Sequence, residues 1–169
     1  MNFLSKAVIL TAGLALAACT NPNRFDNAGG SGLNGAGSNA AGSVSDPTSV
    51  AYFQQAVGDR VLFAVDQSTI SPDYIQVLNG QATWLTTNSD YVAVIEGHAD
   101  EQGTREYNLA LGARRANAVR EYLISRGVAE NRLKVVSYGK ERPIEVCSDE
   151  ACYTKNRRAV TVLSSGLTG

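Results

Sequence analysis

The sequence has few of the residues that build catalytic and metal sites. Among 169 residues there is a single histidine, His98, and there are three cysteines. A metal-dependent hydrolase needs several ligands at defined spacing, and a serine hydrolase needs a nucleophile beside a base. The chain contains neither a His-Glu-x-x-His nor a Gly-x-Ser-x-Gly element. We therefore expect a protein that is not an enzyme and that binds no metal.

The chain also lacks an excess of one charge and a long apolar run. It carries 15 basic and 16 acidic residues, a formal net charge of −1. Proteins that bind nucleic acids normally present a basic surface, so no nucleic-acid partner is expected. The clearest apolar run covers residues 7–18. A membrane-spanning helix needs about 20 apolar residues, so this run is too short for one.

The N-terminus has the pattern of a lipoprotein signal. Lys6 supplies a positive charge before the apolar run, which ends in Leu16-Ala17-Ala18-Cys19. We expect residues 1–18 to be a signal peptide. Cys19 would then carry diacylglycerol and an N-acyl chain such as palmitate, with no other cofactor. The alternative is an ordinary signal peptide with an incidental cysteine. Thr20 favours the outer membrane, and hence a lipid-anchored protein on its periplasmic face in a Gram-negative bacterium.

Composition divides the rest of the chain into a linker and a domain. Residues 19–50 are rich in Gly, Asn, Ser and Ala and have few large apolar side chains. Such a segment cannot bury enough surface to offset the entropy of ordering it, so we predict a disordered tether. Residues 51–169 have globular patterning and are predicted to form one domain.

The domain alternates strand-like and helix-like patterns. Ser71 and Pro72 are typical of a helix start, Thr104 predicts the N-cap of a long helix, and Gly127 predicts its end. A short helical turn is predicted near Tyr153. The predicted strands are 60–65, 91–96, 133–138 and 159–163. The order β-α-β-α-β-(α)-β predicts an α/β fold, a two-layer sandwich in which helices pack on a mixed four-stranded sheet.

Two cysteines remain beside the one in the signal region. Cys147 and Cys152 are five positions apart. In an exported protein an even number of cysteines favours a disulfide. A metal site is the alternative, but His98 is about fifty residues away and no other ligand cluster is evident.

One segment concentrates polar groups in a pattern suited to a zwitterion. Asp100 follows the most apolar predicted strand, and the next helix carries Asn108 and Arg115 seven residues apart, on one face. Arg115 offers a planar fork for a carboxylate, and Asp100 offers a counter-charge for an ammonium group. A direct Asp100–Arg115 salt bridge is an equally good interpretation from the residues alone.

Three segments together resemble the OmpA-like peptidoglycan-binding domain. They are 98–119, 137–143 (Ser-Tyr-Gly-Lys-Glu-Arg-Pro) and 156–160 (Asn-Arg-Arg-Ala-Val). The resemblance extends from about Gly58 to Leu163. Within that family, the chain resembles more specifically the lipid-anchored members of the Tol–Pal system. The predicted lipid anchor and linker fit those members as well.

The resemblance implies noncovalent binding of the diaminopimelate residue of the peptidoglycan stem peptide. Asp100 corresponds to the aspartate that holds the ammonium group, and Arg115 to the arginine that holds the adjacent carboxylate. The family's helix asparagine falls on Asn108. Arg157 would contact a second carboxylate, and Asp66 would line the same cleft.

The resemblance also implies a role for His98 and a set of partners. His98 is expected to orient the loop by hydrogen bonding. The expected partners are peptidoglycan, TolB and the outer membrane, with roles in envelope integrity and cell division. The alternative function is an OmpA-like envelope lipoprotein that acts mainly as a protein-interaction module.

Overall fold

The computed structural model describes residues 42–165. The predicted signal peptide, Cys19 and most of the predicted linker lie outside the described residues. Within them, no helix has the length and apolar character needed to cross a membrane. The helices are α1 (Val50–Tyr52), which continues as a π-helical turn (Phe53–Gly58), α2 (Ile75–Thr87), α3 (Arg105–Ser125) and α4 (Glu150–Asn156). Short 3₁₀ turns occupy Pro72–Tyr74 and Glu130–Arg132.

Within residues 42–165 four strands form one mixed sheet, as the sequence predicts. They are β1 (Arg60–Leu62), β2 (Tyr91–His98), β3 (Leu133–Gly139) and β4 (Arg158–Ser165). The order across the sheet is β1-β4-β2-β3. Strands β2 and β3 are parallel, whereas β4 is antiparallel to both β1 and β2. The apolar β2 is therefore an interior strand, and the residues that follow it lie at the centre of one sheet edge.

The region before α2 differs from the prediction in two respects. The predicted strand 60–65 is only three residues long, because the chain leaves the β4 ladder after Leu62. The short helix α1 and its π-helical continuation were not predicted. Phe53 from that turn is fully buried and packs on Trp84, with ring centroids 5.0 Å apart.

The core lies between the sheet and helices α2 and α3. Both helices contribute an apolar stripe, and the sheet contributes small and branched side chains. On α3 Ala116 is fully buried, whereas Ala118 is only half-buried. Fully buried core members include Phe53, Leu78, Leu85, Ala93, Ile95, Ala116 and Leu123.

Helix ends are fixed by the residues that the sequence indicates. The hydroxyl of Thr104 accepts from the backbone N–H of Tyr107, and the hydroxyl of Ser71 accepts from Asp73. At the other end of α3, Gly127 has a φ of +96°, which an L side chain rarely adopts. Helix α3 begins directly after the loop that leaves β2.

The last residues of the predicted linker, just before residue 50, contact the domain. The Trp84 indole N–H donates to the Pro47 carbonyl at 2.8 Å, and the Tyr91 hydroxyl donates to the Thr48 carbonyl at 3.2 Å. Ser49 is buried and caps α1. Residues 47–49 thus pack on α2 and on the start of β2.

Candidate functional site

A cavity of about 240 Å³ lies beside the loop that joins β2 to α3. Four of the five residues predicted for the binding site line it: Asp66, Asp100, Asn108 and Arg115. Asp100 comes from the loop after β2, Asn108 and Arg115 come from one face of α3, and Asp66 comes from the loop after β1. The fold therefore brings two carboxylates, an amide and a guanidinium to one opening.

Arg115 is fully buried and is held by three backbone carbonyls. Its Nε donates to Gln67 at 2.8 Å, Nη1 donates to His98 at 2.9 Å, and Nη2 donates to Ala64 at 3.1 Å. A guanidinium has five N–H groups, so two remain for a ligand. Burial lowers the pKa of Arg115 to about 10, a shift that the negative charge of Asp100 opposes. Arg115 thus stays protonated at neutral pH.

The Asp100 carboxylate is buried and fixed by two contacts. Oδ1 accepts from the backbone N–H of Gln102 at 3.2 Å, and Oδ2 accepts from Nη1 of Arg157 at 3.1 Å. Within residues 42–165, Asp100 and Arg115 form no ion pair with each other. The direct salt bridge that the residues alone left open is therefore not present. Both charged groups lie on the cavity wall and remain separate.

Arg157 has different neighbours from those expected. Its side chain is only 4% exposed, and it does not line the cavity. Besides Asp100, its guanidinium donates to Glu150, to the Thr154 hydroxyl at 3.0 Å and to the Phe63 carbonyl at 3.2 Å. A second ligand carboxylate was the predicted partner. In the structure these N–H groups donate to protein atoms. Arg157 thus supports the Asp100 carboxylate without lining the cavity itself.

Asn108 closes the loop that carries Asp100. It is 1% exposed, and its Nδ2 donates to the Gln102 carbonyl at 2.7 Å. Lys140, which the sequence analysis did not single out as a site residue, supports the same loop, because its Nζ donates to the Gly103 carbonyl at 2.7 Å. The loop is therefore tied to α3 on one side and to the segment after β3 on the other.

Asp66 lies at the rim of the cavity and is exposed. Its φ of +56° places it in the left-handed region, where non-glycine residues are uncommon and aspartate is enriched. Its carboxylate accepts a hydrogen bond from the hydroxyl of Tyr107, which also lines the cavity. Sequence reasoning missed Tyr107. The available signal was its place directly before Asn108, near the start of the same helix.

His98 does not act as the predicted hydrogen bonder. Its ring is 2% exposed, and neither ring nitrogen has a hydrogen-bond partner among the described residues. The ring packs on Tyr138 with centroids 5.5 Å apart. Burial, helped by the charges of Arg158 and Arg142, lowers the pKa of His98 to about 4. What His98 gives the site is its backbone carbonyl, which accepts from Arg115.

Cys147 and Cys152 are joined as a disulfide, with their Cα atoms 6.0 Å apart. This confirms the pairing that the sequence favours. The bridge closes the loop that leads into α4, and Asp149 inside that loop caps the helix by accepting from the backbone N–H of Cys152 at 3.1 Å. The start of α4 is thus held both covalently and by a cap.

This chain is similar to known proteins in both sequence and structure. Residues 62–157, more than half of the chain, match a family model described as the OmpA family. The peptidoglycan-associated lipoprotein of Mesorhizobium japonicum is 52% identical over 157 residues, covering 93% of this chain and 90% of that protein. The protein of the same name from Agrobacterium fabrum is 51% identical over 157 residues, covering 92% of this chain and 85% of that one. The crystal structure of the peptidoglycan-associated lipoprotein from Burkholderia pseudomallei superposes with a TM-score of 0.64 at 36% identity, covering 72% of this chain and 98% of that chain.

Proposed function

The chain belongs to the OmpA family and, within it, to the peptidoglycan-associated lipoproteins. From that premise we propose that it binds peptidoglycan noncovalently through the diaminopimelate residue of the stem peptide. Asp100 holds the ammonium group at one end of that residue's zwitterionic centre, and Arg115 holds the adjacent carboxylate. Asn108 and Asp66 complete the cavity wall.

The observation that carries this proposal is the separation of two opposite buried charges on one cavity wall. Arg115 is fully buried but is held by neutral carbonyls, and Asp100 is paired with a different cation. Neither charge therefore neutralises the other. A ligand that carries an ammonium and a carboxylate on one carbon can contact both groups at once, whereas a ligand with a single charge contacts only one of them.

Preorganisation makes this arrangement suitable for tight binding. Each charge-assisted hydrogen bond contributes about 1.5–3 kcal/mol, provided that the groups are already oriented. Three carbonyls fix Arg115, and a backbone N–H together with Arg157 fixes Asp100. Little side-chain freedom is then lost when the ligand enters.

Binding without catalysis is the activity that we propose. The OmpA family and the two relatives named above carry no enzyme name. The cavity groups are acceptors and donors suited to holding charge. Incubation with purified cell wall should release no soluble fragments, and released muropeptides would contradict this part of the proposal.

The wider role follows from the predicted lipid anchor. A chain acylated at Cys19 and inserted in the outer membrane would link that membrane to the wall through the domain. We propose that it does so on the periplasmic face of the outer membrane, as part of the Tol–Pal system, with TolB as a partner and with a role in envelope integrity and cell division. A function mainly as a protein-interaction module is the second candidate.

Co-sedimentation with purified sacculi tests the proposed site. Asp100→Asn keeps the shape of the side chain and removes its charge, and we expect it to abolish retention. Asp90→Asn is the matched control, because Asp90 is exposed and precedes β2 at the end of the strand away from Asp100. Retention of Asp100→Asn at the wild-type level would refute the assignment. Sacculi with lysine in place of diaminopimelate should retain the wild-type protein poorly.

A further inference from the structure

Helix α4 carries a carboxylate that reaches the binding site only through another side chain. Glu150 is the first residue of α4, and its side chain is 65% exposed. It does not line the cavity. Its carboxylate accepts hydrogen bonds from the guanidinium of Arg157, the residue that also donates to Asp100. Glu150 and Asp100 are therefore joined by a single buried cation.

The environment of Arg157 makes that cation sensitive to both carboxylates. Its Nη1 lies 3.1 Å from Oδ2 of Asp100 and 3.5 Å from Oε2 of Glu150. Its Nε is fixed by the Phe63 carbonyl, and its Nη2 is fixed by the Thr154 hydroxyl. A guanidinium is planar, so its orientation toward one acid is determined by its bonds to the other.

The positive charge of Arg157 interacts with both carboxylates, Glu150 and Asp100. Burial alone would lower the pKa of Arg157, but hydrogen bonds with Glu150 and Asp100 outweigh it and raise that pKa. The same contact lowers the pKa of Glu150. With two acids around one base, Asp100 is only partly neutralised. It keeps negative charge for a ligand ammonium group while it remains fixed in position.

We propose that Glu150 is a positioning residue for peptidoglycan binding, acting on Asp100 through Arg157. This inference rests on the proposed function of the Asp100 site. Without the Glu150 charge, Arg157 pairs with Asp100 alone, so the Asp100 carboxylate is more fully neutralised. The ammonium group of the ligand then binds less tightly, although Glu150 itself never touches it.

The test measures the dissociation constant of the diaminopimelate-containing stem tripeptide for the full chain purified in detergent. Glu150→Gln should weaken binding about three- to fivefold, the upper part of the range for an exposed ion pair. Glu145→Gln is the matched control. Glu145 lies in the loop before α4 and pairs at 3.0 Å with Lys155, and the side chains of Glu145 and Lys155 are 41% and 57% exposed. We expect less than a twofold change for Glu145→Gln.

A second background separates positioning from a general structural effect. Arg157→Lys keeps the positive charge but cannot bridge two acids in one plane. If Glu150 acts through Arg157, Glu150→Gln should cost less than twofold in the Arg157→Lys background. An equal loss in both backgrounds would overturn the inference, as would a Glu150→Gln affinity equal to that of Glu145→Gln.

Asp100→Asn, measured alongside, distinguishes this inference from the proposed function. Loss of binding in Asp100→Asn with no effect of Glu150→Gln would overturn the inference alone. Undiminished binding in Asp100→Asn would overturn the site and the inference together. Urea unfolding midpoints for each variant show whether an affinity change follows stability, and we expect Glu150→Gln to leave the midpoint close to wild type, since its side chain is exposed.

Discussion

The backbone of Gly97 in β2 lies directly against the backbone of Gly112 in α3. A Cβ atom added at Gly97 would lie 1.8 Å from the Gly112 carbonyl oxygen, and one added at Gly112 would lie 2.4 Å from Oγ of Ser137. No side chain fits between the strand and the helix here. This contact sets the distance between the strand that leads to Asp100 and the helix that carries Arg115.

Gly97→Ala should destabilise the domain by about 3 kcal/mol or more, because the new methyl group meets backbone that cannot rotate away. Urea unfolding measures the effect. Gly80→Ala is the matched control, since its added Cβ would lie 3.2 Å from a methyl group of Val57, which is a side chain that can adjust. Equal stabilities for Gly97→Ala and Gly80→Ala would show that the close backbone contact is not a constraint.

Arg115→Lys should lower both stability and binding. The three carbonyls that share the guanidinium would keep at most part of their hydrogen bonding, at a cost of about 2–4 kcal/mol. Arg114→Lys is the control next in sequence, because Arg114 is exposed and its guanidinium lies 5.8 Å from the Tyr107 ring centroid. Thermal unfolding together with sacculus co-sedimentation separates the variants. A wild-type melting temperature for Arg115→Lys would contradict the structural part of this role.

Local signals predicted the elements of this fold well, because each depends on near neighbours. Thr104 caps α3 through a residue three positions away, and Gly127 ends the same helix through its own backbone conformation. The hydrogen-bond acceptors of Arg115 could not be predicted from near neighbours in this way. Two of its acceptor carbonyls, those of Ala64 and Gln67, are 51 and 48 positions away in the sequence, so only the tertiary fold brings them together.

The pairing of Asp100 shows the same limit. Charge and spacing left a salt bridge with Arg115 open as one of two interpretations, since both residues were assigned to neighbouring elements. In the structure Asp100 pairs with Arg157, which is 57 positions further along the chain. Strand β4 runs antiparallel to β2, so the N-terminal end of β4 lies beside the C-terminal end of β2. Sequence could thus identify the charged groups, but it could not say which two would meet.

Loss of the Cys147–Cys152 disulfide should lower the free energy of unfolding by about 2 kcal/mol, the chain-entropy value for a loop this small. The bridge spans a sequence separation of 5. Urea unfolding of oxidised and dithiothreitol-treated protein measures the difference. A variant with both cysteines replaced by serine should match the reduced protein and be insensitive to the reductant. Identical midpoints for oxidised and reduced wild type would contradict a stabilising role.

Acid should destabilise the domain through His98 before most carboxylates titrate. The pKa of His98 is lowered from 6.5 to about 4 in the folded state, so the unfolded chain binds more protons between those values. The stability contributed by the neutral ring is complete above about pH 6.5 and is lost as the pH falls toward about 4.

The expected loss between pH 7 and pH 5 is about 2 kcal/mol from this group. His98 is the only histidine in the sequence, so no other imidazole contributes in that window. His98→Gln removes the titration, and its free energy of unfolding should change less over the same range. On protonation the ring would gain a weak partner in Glu96, whose Oε2 lies 3.8 Å from Nε2, but Arg158 and Arg142 oppose the new charge. Equal pH slopes for wild type and His98→Gln in urea unfolding would show that the buried ring is not held neutral.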